Sequence, residues 1–178
     1  MNKISLDNTI KENATSVVDI FDDCVTKIRF KEGFTKSILY HTADIWLSKR
    51  QFCGFKKFLH NIGEKEFIIT HTDAFVATRD DIPIFQISSD IKYTDYYNLP
   101  LYDTTLAFSK NSSWAMCIEE GGDYGVGIIA VKNSLWETFK LCFPYCKRDL
   151  YKYISEQSNG KINMDDIRLF IDSLIKDI

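Results

Sequence analysis

The spacing of apolar residues along the chain changes several times, and each change marks an element. Over residues 15–28, Val17, Val18, Phe21, Cys24, Val25 and Ile28 recur every three or four positions, with Asp19, Asp22, Asp23 and Lys27 between them. That period predicts an amphipathic helix capped by Thr15 or Ser16, with the early aspartates at the positive end of its dipole. Residues 33–47 admit two readings, because Ile38-Leu39-Tyr40 suits a strand while 43–47 suits a helix. The helical period returns over residues 48–63. There Ser48 and Gln51 form a capping box, Phe52, Phe55, Phe58, Leu59 and Ile62 make one face, and Gly63 ends the run.

The pattern then shortens to strand length. Strands are predicted at 67–70, 74–78 and 82–88, with a turn at Asp73 and punctuation at Asp80, Asp81 and Pro83. Residues 89–103 are polar and rich in tyrosine, and they read as an exposed loop. From 104 to 132 the chain reads as a three-stranded antiparallel meander: 104–108, a turn at Lys110-Asn111-Ser112-Ser113, 114–118, a turn at Gly121-Gly122-Asp123, and 126–131. Beyond it, Ser134 caps a predicted helix carrying Leu135, Trp136, Phe139 and Leu141 until Pro144 interrupts it. Two more helices are predicted at 148–156 and from 164 to 178. The second is capped by Asn163 and has Ile167, Phe170, Ile171, Leu174 and Ile175 as its apolar stripe.

Helices, then strands, then helices again is an α+β order. The short interstrand connections forbid crossovers, so a mainly antiparallel sheet of about six strands is expected, with amphipathic helices on one face and at the ends. No repeat, low-complexity tract or linker divides the sequence, and residues 1–178 read as a single domain.

Composition narrows the function classes. A formal net charge of −3 and the lack of a basic run interleaved with aromatics argue against direct nucleic-acid binding. The first sixteen residues are broken by Asp7, Lys11 and Glu12 and do not read as a secretory signal. The longest apolar runs fall far short of the roughly 20 residues of a membrane-spanning helix. Five cysteines, Cys24, Cys53, Cys117, Cys142 and Cys146, form an odd set in apolar surroundings. They suit reduced thiols and a cytoplasmic location.

Candidate chemistry is sparse. The glycine-dense stretch from Gly121 to Gly127 lies between two predicted strands and follows Glu119 and Glu120, which would repel a phosphate. It superficially resembles the Gly-Gly-Asp hairpin of diguanylate cyclases, but Tyr124 and Gly125 stand where that motif needs other residues. Cys142 and Cys146 are one residue too far apart for a CxxC motif, and His41, His60 and His71 are isolated. No catalytic residue, no cofactor and no metal is therefore predicted. The carboxylates of the middle third sit at strand ends and loops beside tyrosines. A solvated rim is the ordinary reading of such residues. The functional reading is an acidic, aromatic surface for a basic protein partner, drawn from Glu119, Glu120, Asp123, Tyr124, Asp95, Tyr96 and Tyr97.

The stretch TLAFSKNSSWAMCIEEGGDYGVGIIAV has a strand ending in Ser, a turn, a Trp-containing strand, an acidic Gly turn and a final apolar strand. With its helical N-terminal half, the chain resembles the small cytosolic immunity proteins of bacterial toxin systems, including those of contact-dependent growth inhibition. The likeness covers chiefly residues 66–139. It implies a non-enzymatic protein that binds and neutralises a cognate toxin domain, commonly a basic nuclease. The alternative is a small enzyme or ligand-binding α+β domain whose site is assembled from distant residues such as His71, Cys117 and Glu119.

Overall fold

The computed structural model describes residues 2–21, 28–40, 42–43, 45–76, 82–119 and 126–143. In chain order the elements are β1 (Asn2–Ile4), α1 (Asn8–Thr15), β2 (Val18–Ile20), β3 (Arg29–Phe30), β4 (Phe34–Tyr40), α2 (Lys49–Asn61), β5 (Glu66–His71), α3 (Asp73–Val76), β6 (Ile84–Ser88), α4 (Tyr93–Tyr97), β7 (Thr104–Ser109), β8 (Trp114–Glu119), β9 (Val126–Lys132) and α5 (Trp136–Cys142), with a 3-10 turn at Asn133–Leu135 before the last. Seven strands form one antiparallel sheet in the order β1-β6-β5-β7-β8-β9-β4, while β2 and β3 make a separate two-stranded ribbon. The fold is α+β with a mainly antiparallel sheet, and β7-β8-β9 is the expected meander. The ambiguous stretch resolves into edge strand β4, which runs in register with β9 from Phe34 opposite Lys132 to Tyr40 opposite Val126.

Both faces of this sheet are covered. Along β8 the side chains alternate: Trp114, Met116 and Ile118 join a core with α2, α4 and α5, while Ala115 and Cys117 join a second core with α1 and the β2–β3 ribbon. This is why Trp114 to Ile118 of β8 reads as a continuous apolar run where a half-exposed strand would alternate apolar and polar. The expectation of helices on one face and at the ends is extended accordingly, because α1 packs on the face opposite α2. On the α2 side, Phe52, Phe55, Phe58 and Leu59 are buried, and Phe55 meets Phe67 and Trp114 edge to face. The predicted capping box is present, with Ser48 Oγ accepting from the Gln51 N–H and Gln51 Oε1 accepting from the Ser48 N–H. Gly63 takes φ +72, the left-handed conformation that ends the helix at no side-chain cost.

Several local expectations change. Residues 15–28 are not one helix: α1 starts earlier, capped by Asp7, and ends at Thr15, after which Val18 pairs with Phe30. The β-branched Val17, Val18 and Ile20 suit an extended ribbon at least as well as a helix, and long-range pairing decides between them. Residues 22–27 lie outside the described residues. The strand expected at 74–78 is instead the single helical turn α3, whose Ala74 is buried in the second core; residues 77–81 are not described. Ser134 does not cap α5, which follows a 3-10 turn without a side-chain cap. Leu141, expected on its apolar stripe, is 80% exposed. The helix ends at Cys142, two residues before Pro144, as a proline requires. The helices expected at 148–156 and 164–178 lie outside the described residues. Among the described residues, no helix is long and apolar enough to cross a membrane.

Candidate functional site

The tyrosine-rich segment is more ordered than its polarity suggests. After β6, Ile91 N–H donates to the Ser88 carbonyl and Asp90 N–H to Ser88 Oγ at 3.2 Å, which turns the chain into α4. Tyr93, Tyr96 and Leu99 are spaced by three; Tyr96 and, just past the helix, Leu99 are buried in the α2-side core with Tyr93 half-buried against it, while Asp95 and Tyr97 are exposed. Tyr96 is fully buried, its ring 4.6 Å from Phe52 and 5.0 Å from Trp46, and its hydroxyl accepts from the Leu47 N–H at 3.4 Å. Burial pushes its phenol above the ordinary tyrosine range, with the Leu47 hydrogen bond acting the other way. Tyr96 is thus a core residue and not a surface anchor, which corrects the expectation from sequence. The period of three was the signal that could have revealed it.

Around this plug lies the exposed part of the segment. Tyr97 and Tyr102 are 38% and 49% exposed, and Asp90, Lys92, Asp95 and Asp103 face solvent. Ser88, Asp90, Ile91, Lys92 and Asp95 line an open depression of about 620 Å³. Lys56 of α2 reaches its rim and donates to the Ile91 carbonyl at 3.1 Å.

The other half of the predicted surface lies elsewhere. Glu119 pairs with Thr104 at the end of β8, two residues beyond Cys117, so it belongs to the α1 side of the sheet, opposite α4. Glu120, Asp123 and Tyr124 fall outside the described residues. Of the seven candidate residues, the described fold brings together Asp95 and Tyr97 at the surface, puts Tyr96 beneath them, and holds Glu119 apart.

The same parity dismantles the proposed enzyme site. His71 lies two residues after Ile69 of the α2-side core, while Cys117 is fully buried in the α1-side core, so the sheet separates them. His71 itself is 3% exposed. Its Nδ1 accepts from the Asp73 N–H at 3.0 Å and lies 3.5 Å from the Asp73 carboxylate, and the Tyr102 ring covers it at 5.1 Å. Among the described residues, its buried Nε2 has no hydrogen-bond partner. Among the described residues, no three His, Cys, Asp or Glu side chains gather as metal ligands would.

No family model, no curated protein and no solved structure matches this chain. Its surfaces are therefore read from their own chemistry.

A buried carboxylate escaped the sequence reading. Glu64, only 6% exposed, follows α2 and accepts from Ser109 Oγ at 2.9 Å, Ser113 Oγ at 3.4 Å and the Lys110 N–H at 3.2 Å. These bonds tie the β7–β8 turn to the end of α2. The cluster joins residues about 45 positions apart, and no local pattern marks it. Its hydroxyls are fully engaged or buried, so its role is to hold the turn.

Proposed function

We propose that this protein is a cytosolic immunity protein that binds a cognate, basic toxin domain and neutralises it, without catalysis of its own. The observation that carries the reading is the 89–103 segment. A short helix pinned by Tyr96 and Leu99 presents Tyr97, Tyr102, Asp90, Asp95 and Asp103 to solvent beside an open depression. Partly exposed tyrosines on a rigid support give contact area at little conformational cost, and carboxylates around them favour a cationic partner and speed its approach. The surface is centred on residues 89–103 and excludes Tyr96 as a direct contact. The strip is only part of a standard interface, which buries about 800 Å² on each partner.

The test is rescue. If the reading frame immediately upstream of this gene encodes a large toxin, its C-terminal domain expressed alone should arrest growth, and co-expression of this chain should restore it. Tyr97→Ala should weaken the complex mainly through faster dissociation, by about 1 to 4 kcal/mol if Tyr97 is a buried anchor. Asp90→Lys with Asp95→Lys should slow association and reduce its salt dependence. Failure of the parent chain to restore growth or to bind the toxin domain would overturn the proposal.

A further inference from the structure

We propose that the end of β5 holds a receptor site for an uncharged amide carbonyl, with the His71 Nε2–H as its donor and the Tyr102 ring as its cover. The reasoning begins with a proton. His71 Nδ1 accepts from the Asp73 N–H at 3.0 Å, so the imidazole is in the tautomer that carries its proton on Nε2. The residue is 3% exposed, and this buried donor has no acceptor among the described residues. The next residue, Thr72, is fully buried, and its hydroxyl has no partner among them either. Two consecutive side chains thus carry unmet polar atoms where β5 ends. An unpaired buried donor costs the fold its desolvation, and an acceptor brought from outside recovers that loss.

The imidazole is covered by a ring that stands half in solvent. Tyr102 lies over it with the ring centroids 5.1 Å apart, and is itself 49% exposed. Its backbone is pinned, because the Thr104 N–H donates to the Tyr102 carbonyl at 2.7 Å around Asp103. Asp103 has φ +57, which makes this a γ-turn of the rare, strained hand. The Tyr102 side chain is free of that constraint. Rotation about its own Cα–Cβ bond lifts the ring off His71 and leaves β7 in place.

The surroundings select the ligand. The Asp73 carboxylate lies 3.5 Å from Nδ1, and exposed Asp103 follows Tyr102, so an anionic acceptor is repelled. A metal ion needs a lone pair on Nε2, which this tautomer does not offer. An uncharged, strong acceptor remains. A planar amide also suits the space that a planar ring vacates. The assignment stands without the toxin reading, since a segment of any partner that displaces Tyr102 can present such a carbonyl.

Proton–nitrogen NMR of the full, histidine-labelled chain tests it. His71 should show a bare Nδ1 and a protonated Nε2, and N-methylacetamide should shift the Nε2–H resonance saturably. Tyr102→Ala, checked for a parental circular dichroism spectrum, should bind this probe at least about tenfold more tightly, as expected of a cover that is open at most about a tenth of the time. Acetate, of similar shape but charged, should shift neither protein. Tighter binding of N-methylacetamide than of acetamide assigns the site to a peptide bond, and the reverse order to an Asn or Gln side chain. In the Tyr102→Ala background, His71→Asn keeps an acceptor for the Asp73 N–H but lacks the Nε2–H, and should abolish probe binding. A proton on Nδ1, no saturable shift in the parent, equal affinity in parent and Tyr102→Ala, or acetate binding as tightly as the amide would each overturn the proposal. So would an Nε2–H that the amide leaves unmoved and that stays protected from exchange in Tyr102→Ala, the behaviour of a bond to an ordered water only.

Discussion

Replacing Tyr96 separates a core role from a surface role more sharply than any other single change. The side chain is fully buried between Trp46 and Phe52. A tyrosine buries about 200 Å², which at about 25 cal/mol per Å² corresponds to at most about 5 kcal/mol. Measured large-to-small substitutions of buried aromatics agree, at about 3 to 5 kcal/mol for truncation to Ala. In a domain of this size each kcal/mol moves the melting temperature by about 2 to 4 °C, so Tyr96→Ala should lower it by about 6 to 20 °C. Tyr96→Phe keeps the ring and loses only the long bond to the Leu47 N–H, for about 1 kcal/mol. The two variants also differ from the parent with pH. Because burial raises the folded-state pKa, the parent's phenol resists ionisation while the unfolded chain's does not. The stabilisation is therefore complete below about pH 10 and is lost as pH rises above it. The gap between parent and Tyr96→Phe should narrow in alkaline buffer. Calorimetry or circular dichroism melts read all of this, and a Tyr96→Ala protein melting within about 2 °C of the parent would refute the placement of the ring in the core.

Other consequences follow from packing. Glu64→Ala removes the buried carboxylate that accepts from the Ser109 and Ser113 hydroxyls and the Lys110 N–H, with Asn111 Oδ1 and Ser109 Oγ left as the hydroxyls' acceptors, and should cost about 1 to 3 kcal/mol in urea denaturation; an unchanged midpoint would contradict the buried cluster. At Gly127 of β9, an added Cβ would lie 2.8 Å from the Cys117 carbonyl oxygen and 2.9 Å from Ile118 Cγ1. Gly127→Ala should therefore destabilise by about 1 to 3 kcal/mol, since a backbone carbonyl in a central strand cannot step aside. Cys53, Cys117 and Cys142 are free thiols, and only the first is exposed. Mass mapping of alkylated peptides should show Cys53 modified quickly in the native protein and Cys117 and Cys142 only after unfolding, while a denatured, non-reduced sample should yield five thiols, the full cysteine count.

The parts of this fold that were legible in the sequence are those settled by neighbours along the chain. Helix α2 carries its own start in Ser48 and Gln51, its own stop in Gly63 and one apolar face. The β7–β8 hairpin carries turn residues between two apolar runs. Where the sequence misled, the deciding partner is distant. Residues 33–47 admit two readings until β9 supplies a ladder for 34–40, with Thr35 Oγ1 donating to Asn133 Oδ1 across 98 positions. Val18 is a strand residue because Phe30 pairs with it, although the intervals that include it fit a helix equally well. The candidate surface was half legible for the same reason. The acidic and phenolic content of 89–103 is plain in the letters, whereas the direction of each ring depends on a short helix that long-range packing against Trp46 and Phe52 stabilises.

Covering both faces of the sheet has a functional consequence. With α2, α4 and α5 on one side and α1 with the β2–β3 ribbon on the other, the central strands offer no open face to a ligand, and their polar side chains, such as His71 and Ser109, are enclosed. On the proposed toxin-binding role, recognition falls to the outer surfaces of the covering layers and to the ends and edges of the sheet. Tyr96 and Tyr97 embody this division, because adjacent residues on one turn of α4 have opposite environments. The first fixes the helix to the core, so its loss should appear in the melting temperature; the second faces outward, so its loss should appear in a dissociation rate. A protein that used this segment only as filler would show no such split, since an exposed aromatic would then contribute little to any measurement.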